Sequence, residues 1–227
     1  MDIKDFDGIP YKNKIDVVIG SPPCRSFSLA NISNKKEDSS LINEFMRIVK
    51  EIEPKIWIWE NVKGAKKAVK EGHIHIWKGT DFGMLQNRER MFVSNIQLKP
   101  NFLLWDKQWL NAEKALSVIL HDRGNIYTSF YTLTGRSCGT RGHTGHFDGH
   151  MFERGIGFRT YTLEEGMQLQ TLPFYFKFCG NSKSSIGQQL GDMVPPLMAY
   201  KIALFVMEYL TNQQSKLMEV KKCQKSF

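Results

Sequence analysis

The first strong hydrophobic pattern in the chain is a short apolar run, Asp16–Gly20, that ends in a glycine. A continuous apolar run of this length is typical of a strand that is buried on both faces. Two consecutive prolines, Pro22 and Pro23, follow it, and proline cannot continue a central strand. The pattern therefore predicts a buried parallel strand with a stiff loop at its carboxyl end.

An amphipathic helix and a second strand come next. Ser39 and Ser40 are candidate N-caps, and Pro54 is expected to end the helix. The apolar positions recur at helical spacing and are Leu41, Phe45, Ile48, Val49 and Ile52. The following run, Ile56–Trp59, is again continuously apolar. Strand, helix and strand in this order predict a parallel crossover unit.

The later part of the chain has a different character. Met91–Val93 predicts a third short strand, and seven glycines then lie between Thr132 and Gly157, interspersed with arginines and histidines. Further helices are predicted over about 163–170 and 196–211. We therefore divide the chain into a catalytic α/β domain (1–94), a loop-rich module (95–157) and a segment that returns to the catalytic domain (158–227).

Two chemically active side chains follow the two predicted parallel strands. Cys24 lies in the proline loop, and Glu60 comes directly after the second strand. Ligands of open α/β sheets bind outside the carboxyl ends of the strands. A thiol and a carboxyl at one such edge suit a nucleophile and an acid acting on one substrate.

Five motifs in a fixed order then carry a family resemblance. They are Pro22–Ser28 (PPCRSFS), Glu60–Val62 (ENV), Gln86–Arg90 (QNRER), Arg159–Pro173 (RTYTLEEGMQLQTLP) and Gly191–Pro196 (GDMVPP). Each is modest evidence alone, but the five in order resemble the DNA cytosine C5-methyltransferases. The resemblance implies a partial Rossmann-like fold of the S-adenosylmethionine-dependent methyltransferases, with a small loop-rich target-recognition module.

The resemblance also implies roles for particular residues. Cys24 is expected to add to C6 of a flipped-out cytosine, Glu60 to donate to ring N3, and an arginine to stabilise charge on the ring oxygen. The implied catalytic residues are Cys24, Glu60, Arg88 and Arg90. The implied substrate-binding residues are Asn61, Gln86, Arg136, Arg141 and Arg159.

The implied cofactor is S-adenosylmethionine. The residues expected to contact it are Asp2, Ile3, Pro23, Leu41 and Asp192. The family's glycine-rich loop and the acidic residue after its second strand have no counterpart in this sequence. We therefore expect a second polypeptide to supply the missing cofactor half; a remnant that lacks it, or a wrongly chosen start codon, are the alternatives. Three positions depart from the family pattern: Arg25, Leu85 and Asp192 stand where Gln, Pro and Asn are usual.

The composition and net charge of the chain indicate what kind of partner it binds. Net charge is +8 and the isoelectric point is about 9.3, which suits a polyanion such as DNA. The four cysteines form no CxxC pair, so reduced thiols in a cytoplasm are expected. The apolar stretch Leu197–Leu210 is interrupted by Lys201 and Glu208, and no membrane span is expected.

Other interpretations remain open at this stage. His143, His146 and His150 have a spacing that could suit a metal, but no cysteine or acidic partners accompany them, and a loop that contacts DNA is preferred. The chain could also be a catalytically inactive DNA-binding remnant, or a methyltransferase acting on cytosine in RNA.

Overall fold

The computed structural model describes residues 2–23, 39–84, 86–101, 150–153, 157–160, 162–173, 175–180 and 182–224. The chain divides into two compact units. The first contains Met1–Trp77 and Glu89–Leu98, and the second contains Lys78–Arg88 and Lys99–Phe227. The predicted three-part division stays a prediction, because much of 95–157 lies outside the described residues.

The first unit is built on a four-stranded sheet with the order β1-β2-β4-β3. Its strands are β1 (Val17–Gly20), β2 (Ile56–Asn61), β3 (His73–Lys78) and β4 (Glu89–Ser94). β1 and β2 pair in parallel, as the sequence predicts, while β4 pairs antiparallel with β2. The sequence pattern did not predict β3. This strand contains two histidines, so it has no continuous apolar run.

Helix α1 (Ser40–Ile52) covers one face of this sheet. Its Phe45 and Val49 are buried with Trp57, Trp59 and other apolar side chains in one core cluster. The helix ends at Glu53, which has a left-handed backbone (φ 52°) directly before Pro54. Proline disfavours helical geometry at the residue before it, so the predicted helix and its end are both confirmed.

The second unit is mainly helical in its described part. It contains the hairpin β5 (His150–Glu153) and β6 (Gly157–Thr160), and the helices α2 (Leu163–Leu169), α3 (Lys183–Asp192) and α4 (Pro196–Gln224). Thr162 and Glu165 form a capping box at the start of α2, which satisfies backbone N–H groups of the first turn. Helix α3 was not predicted, because its polar sequence lacks an apolar stripe.

The stretch Ser184–Ser215 is long and apolar enough to cross a membrane by length and composition alone. Length and composition therefore do not support the expectation, drawn from Leu197–Leu210, that the chain has no membrane span. Buried core helices share these two properties, and α4 is buried over part of its surface only, since Met207 is 66% exposed. Met198 and Ile202 are buried, and Lys201 donates from Nζ to the carbonyl oxygen of Phe82 at 2.9 Å.

Candidate active site

Glu60 is the centre of the site in the first unit. It lies near the carboxyl end of β2 and is only 6% exposed. One carboxylate oxygen accepts a hydrogen bond from the Ser21 hydroxyl at 2.6 Å, and the other pairs with Nε of Arg90 at 3.0 Å. A buried carboxylate needs such partners, because its desolvation is otherwise costly.

The direction of β4 explains how Arg90 reaches Glu60. In the antiparallel register Glu60 pairs with Phe92, and Asn61 pairs with Met91. The first residues of β4 therefore lie beside the carboxyl end of β2. The sequence placed Arg90 in a motif, and the register brings its guanidinium to the carboxylate of Glu60.

Asn61 fastens the proline loop to the same edge of the sheet. Its side-chain amide donates to the carbonyl oxygen of Pro22 at 3.0 Å, while its side-chain oxygen accepts from the Val62 N–H at 2.9 Å. Pro22 is buried, and Cys24 follows two residues later. Cys24 itself lies outside the described residues, so its role stays a prediction.

Gln86 and Arg88 occupy a separate buried network in the second unit. Gln86 Nε2 donates to the Leu169 carbonyl at 2.6 Å and to Gln170 Oε1 at 2.7 Å. Arg88 Nη2 donates to the carbonyls of Gly191 (2.7 Å) and Met193 (2.9 Å). Both side chains are fully buried. Three of the sequence motifs thus meet through the side chains of Gln86 and Arg88, whereas Arg90 contacts Glu60.

The residues expected at the cofactor lie in several places. Asp2 and Ile3 begin the first unit, where the Asp2 carboxylate accepts from the Lys4 N–H at 3.1 Å. Ile3 and Leu41 are half-buried and Pro23 is exposed. Asp192, in the second unit, is exposed and accepts from Gln188 at 2.6 Å.

These side chains fit one part of S-adenosylmethionine. Partly exposed apolar surface at Ile3 and Leu41 suits a flat purine ring. The carboxylate of the ligand would need hydrogen-bond donors around it, and its cationic groups would need carboxylates. Ile3 and Leu41 supply neither of these. Their contact with the adenine end of the cofactor stays a prediction.

The remaining expected contacts are only partly described. Arg136 and Arg141 lie outside the described residues. Arg159 is in β6, opposite Met151 of β5, and only its backbone is described. Within the described ranges no group of three or more His, Cys, Asp or Glu side chains could hold a metal; His143 and His146 are outside those ranges.

Sequence reasoning missed three positions that shape this unit. Ser21 donates to Glu60, and Arg47 and Glu51 bind the backbone of the amino-terminal segment. A serine before two prolines and charged residues within a helix are common on solvated surfaces. Only their long-range partners distinguish them, and the local pattern does not contain those partners.

Comparison with known proteins shows what the chain is similar to. The family model described as C-5 cytosine-specific DNA methylase matches residues 1–73. The type II methyltransferase M.FnuDI of Fusobacterium nucleatum is 26% identical over 92% of this chain and 81% of its own length. M.MjaORF1200P of Methanocaldococcus jannaschii is 36% identical over 44% of this chain, a match that spans 34% of that protein.

The fold agrees with these matches. The solved structure of the Entamoeba histolytica methyltransferase EhMeth aligns with a TM-score of 0.61 and 14% identity, over 92% of this chain and 82% of that one. The mixed α/β architecture is thus a partial Rossmann-like methyltransferase fold, as expected. Over residues 1–73 the chain is similar to the C-5 cytosine-specific DNA methylase family, and the relatives that it resembles are type II methyltransferases.

Proposed function

We propose that this chain is the catalytic and target-recognising part of a DNA cytosine C5-methyltransferase whose donor pocket is completed by a second polypeptide. The observation that carries the proposal is the Glu60 site. A carboxyl group, a guanidinium and the loop that leads to Cys24 are fastened together at the carboxyl ends of β1 and β2.

The pairing of Glu60 with Arg90 matches the chemistry of the base. Ring N3 and the ring oxygen O2 of cytosine are on adjacent atoms, and Nε of Arg90 lies 3.0 Å from Oε1 of Glu60. A cytosine that presents N3 to Glu60 can therefore present O2 to Arg90 in one of its two orientations. The arrangement favours Arg90 over Arg88 as donor to O2, because Arg88 is committed to the carbonyls of Gly191 and Met193.

The reaction then follows from these positions. The Cys24 thiolate forms a bond to C6 while Glu60 supplies a proton to N3, so C5 gains the electron density of an enamine. S-adenosylmethionine, when bound, supplies the methyl group that C5 takes up. Transfer of the C5 proton to a base such as water, with return of the N3 proton to Glu60, restores the double bond and breaks the bond between Cys24 and C6. Duplex DNA must first expose the base by flipping it out.

The open edge of β1 supports the need for a second segment. Among the described strands β1 pairs only with β2, and Ile19 on β1 is 68% exposed. An uncovered strand edge with apolar side chains favours pairing with another strand. We propose that a parallel strand followed by the glycine-rich loop pairs here and supplies the contacts that the first unit lacks.

The test is donor binding followed by methyl transfer. The purified chain is titrated with S-adenosylmethionine by calorimetry, alone and with a polypeptide that carries the glycine-rich half of a relative. Binding only in the second case, followed by transfer of labelled methyl groups to DNA, is the expected result. Donor binding by the chain alone would show that the pocket needs no complement.

Covalent trapping separates the alternatives. DNA that contains 5-fluorocytosine is expected to form a denaturation-resistant adduct with the completed protein and none with Cys24→Ser. Salt-dependent DNA binding without any adduct would identify an inactive remnant. Transfer to RNA in preference to DNA, measured in a competition assay, would overturn the choice of substrate.

A further inference from the structure

Arg47 on α1 fastens the amino-terminal segment that precedes the sheet. Its Nη2 donates to the carbonyl oxygens of Ile3 at 3.0 Å and Phe6 at 3.1 Å. Its Nη1 donates to the carbonyl of Phe6 at 3.1 Å and to Glu51 Oε1 at 2.6 Å, and its Nε donates to Glu44 at 2.8 Å. A guanidinium has five N–H donors in a planar fork, and five contacts are present here.

Glu51, on the next turn of α1, binds the same segment, and we call Arg47 and Glu51 together the bracket. Its Oε2 accepts from the Gly8 N–H at 2.9 Å, while Oε1 holds Arg47. A Cβ at Gly8 would lie 3.0 Å from Glu51 Cβ and Oε2, so the backbone approaches the carboxylate closely. Arg47 and Glu51 together fix the segment at Ile3, Phe6 and Gly8.

The charges of the bracket reinforce each other. Hydrogen bonds with Glu44 and then Glu51 raise the pKa of Arg47, and the hydrogen bond from Arg47 is the largest cause that lowers the pKa of Glu51. Both groups therefore stay charged across the physiological range. Charge-assisted hydrogen bonds of this kind are stronger than neutral ones.

The segment has little means of holding its own shape. Its regular structure consists of two 3-10 helices of three residues each, Ile3–Asp5 and Ile9–Tyr11, and short 3-10 turns are weak by themselves. The first of these turns begins at Ile3 after its N-cap Asp2, and the family resemblance assigns these two residues to the methyl donor. Their position therefore depends on what α1 holds.

We infer that Arg47, supported by Glu51, is a positioning residue that presents Asp2 and Ile3 to the adenine end of the methyl donor. This inference rests on the proposed function. It links donor affinity to α1, the helix that follows the Cys24 loop, without assigning Arg47 a contact with the donor or the base.

The test compares Arg47→Gln and Arg47→Lys with the control Lys55→Met. Lys55 forms an exposed ion pair with Asp16 at 2.6 Å in the same unit and is outside the bracket. Hydrogen exchange of residues 2–11 is the first readout. Faster exchange in Arg47→Gln, a smaller effect in Arg47→Lys, which keeps the charge but not the fork, and no change in Lys55→Met are expected.

Donor binding in the completed protein is the second readout. Arg47→Gln is expected to raise the Kd and KM for S-adenosylmethionine roughly five- to tenfold, about what one lost hydrogen bond produces, with kcat at saturating donor preserved. Unchanged hydrogen exchange in Arg47→Gln would overturn the inference, and so would faster exchange with unchanged donor affinity. A five- to tenfold fall in kcat without a change in KM would overturn it as well. If the wild-type completed protein binds no donor, the proposed function and the donor role both fail, while the exchange result still decides whether Arg47 holds the segment.

Discussion

At the scale of single residues, the carboxylate of Glu60 is held on both sides. Ser21 donates to one oxygen, and Arg90 pairs with the other at 3.0 Å. Substitution of Glu60 by Gln keeps the shape of the side chain but removes the ionisable carboxyl group, which alone can give a proton to N3 and take it back. The site therefore offers a direct test of acid catalysis.

We expect Glu60→Gln to lower kcat of the completed protein by about 100-fold or more, since positioned acids and bases contribute on the order of 10²–10⁴. Initial rates of labelled methyl transfer measure the change. Glu89→Gln is the matched control. Glu89 begins β4, and its carboxylate pairs with Lys63 at 3.2 Å and not with the Glu60 site. The methyl-transfer rate of this variant should therefore stay near that of the wild type. Comparable losses in both variants would contradict the role of Glu60.

His75 is a second residue whose environment makes a prediction. It is buried on β3, its ring stacks on Trp77, and its Nε2 accepts from the Leu98 N–H at 3.2 Å. Burial is the largest cause that lowers its pKa below 6.5, while a backbone hydrogen bond with Ile96 opposes the shift. Protonation at Nε2 would also remove the acceptor that the Leu98 N–H needs.

The sign of the pH effect follows from that shift. The unfolded chain takes up a proton at His75 as the pH falls through about 6.5, and the folded chain does so only at lower pH. Stability should therefore fall between pH 6.5 and the lower folded pKa, by at most about 1.4 kcal/mol per pH unit from one proton. Urea unfolding at several pH values should show a weaker dependence of the unfolding free energy on pH in His75→Gln than in wild type. His73→Gln should reduce this dependence only slightly, because the charge of His73 is the smallest of the causes that shift the pKa of His75.

At the scale of secondary-structure elements, β1 and α1 approach closely at Gly20. A Cβ built there would lie 2.5 Å from Cδ2 of Phe45, whose side chain is only 3% exposed. Glycine at the end of β1 therefore permits the helix to pack over the strand that leads into the Ser21–Pro23 loop. The apolar run predicted the strand, but not the need for glycine at its end.

We expect Gly20→Ala to destabilise the first unit by about 1–3 kcal/mol, the usual effect of overpacking a core. Denaturant midpoints measure the change. The double variant Gly20→Ala, Phe45→Leu should lose less stability than the sum of the two single variants, because the smaller side chain makes room for the methyl group. Additive losses would show that the close approach is not the cause.

At the scale of the whole molecule, the two edges of the sheet make distinct predictions. β1 and β3 are the edge strands, and each has an exposed isoleucine: Ile19 (68%) and Ile74 (37%). The proposed second polypeptide pairs with the β1 edge only. The comparison of these two positions therefore tests where the complement binds.

We expect Ile19→Lys to weaken binding of the glycine-rich complement by at least about tenfold, since a charge would enter a buried apolar contact. The same substitution at Ile74 should leave binding unchanged. Fluorescence titration of a labelled complement measures both, and the thermal unfolding of each free variant controls for folding. Equal effects at the two edges would argue against pairing at β1.

The sequence by itself determined the resemblance to the cytosine C5-methyltransferases, the order of the motifs, and the elements β1, α1 and β2. Their signals are local: continuous apolar runs, a helical stripe and proline at the boundaries record which faces are buried. The identity of Cys24 and Glu60 as candidates followed from the same local positions at the ends of strands.

Only the tertiary structure decided which of the other residues meet. The insertion of β4 between β2 and β3 brings Arg90 to Glu60, and Arg88 instead holds the backbone at Gly191 and Met193. Likewise, nothing in the local sequence around Arg47 indicates its hydrogen bonds to the carbonyl oxygens of Ile3 and Phe6. Such contacts depend on strand register and on hydrogen bonds between distant segments, and the pattern of neighbouring residues does not encode them.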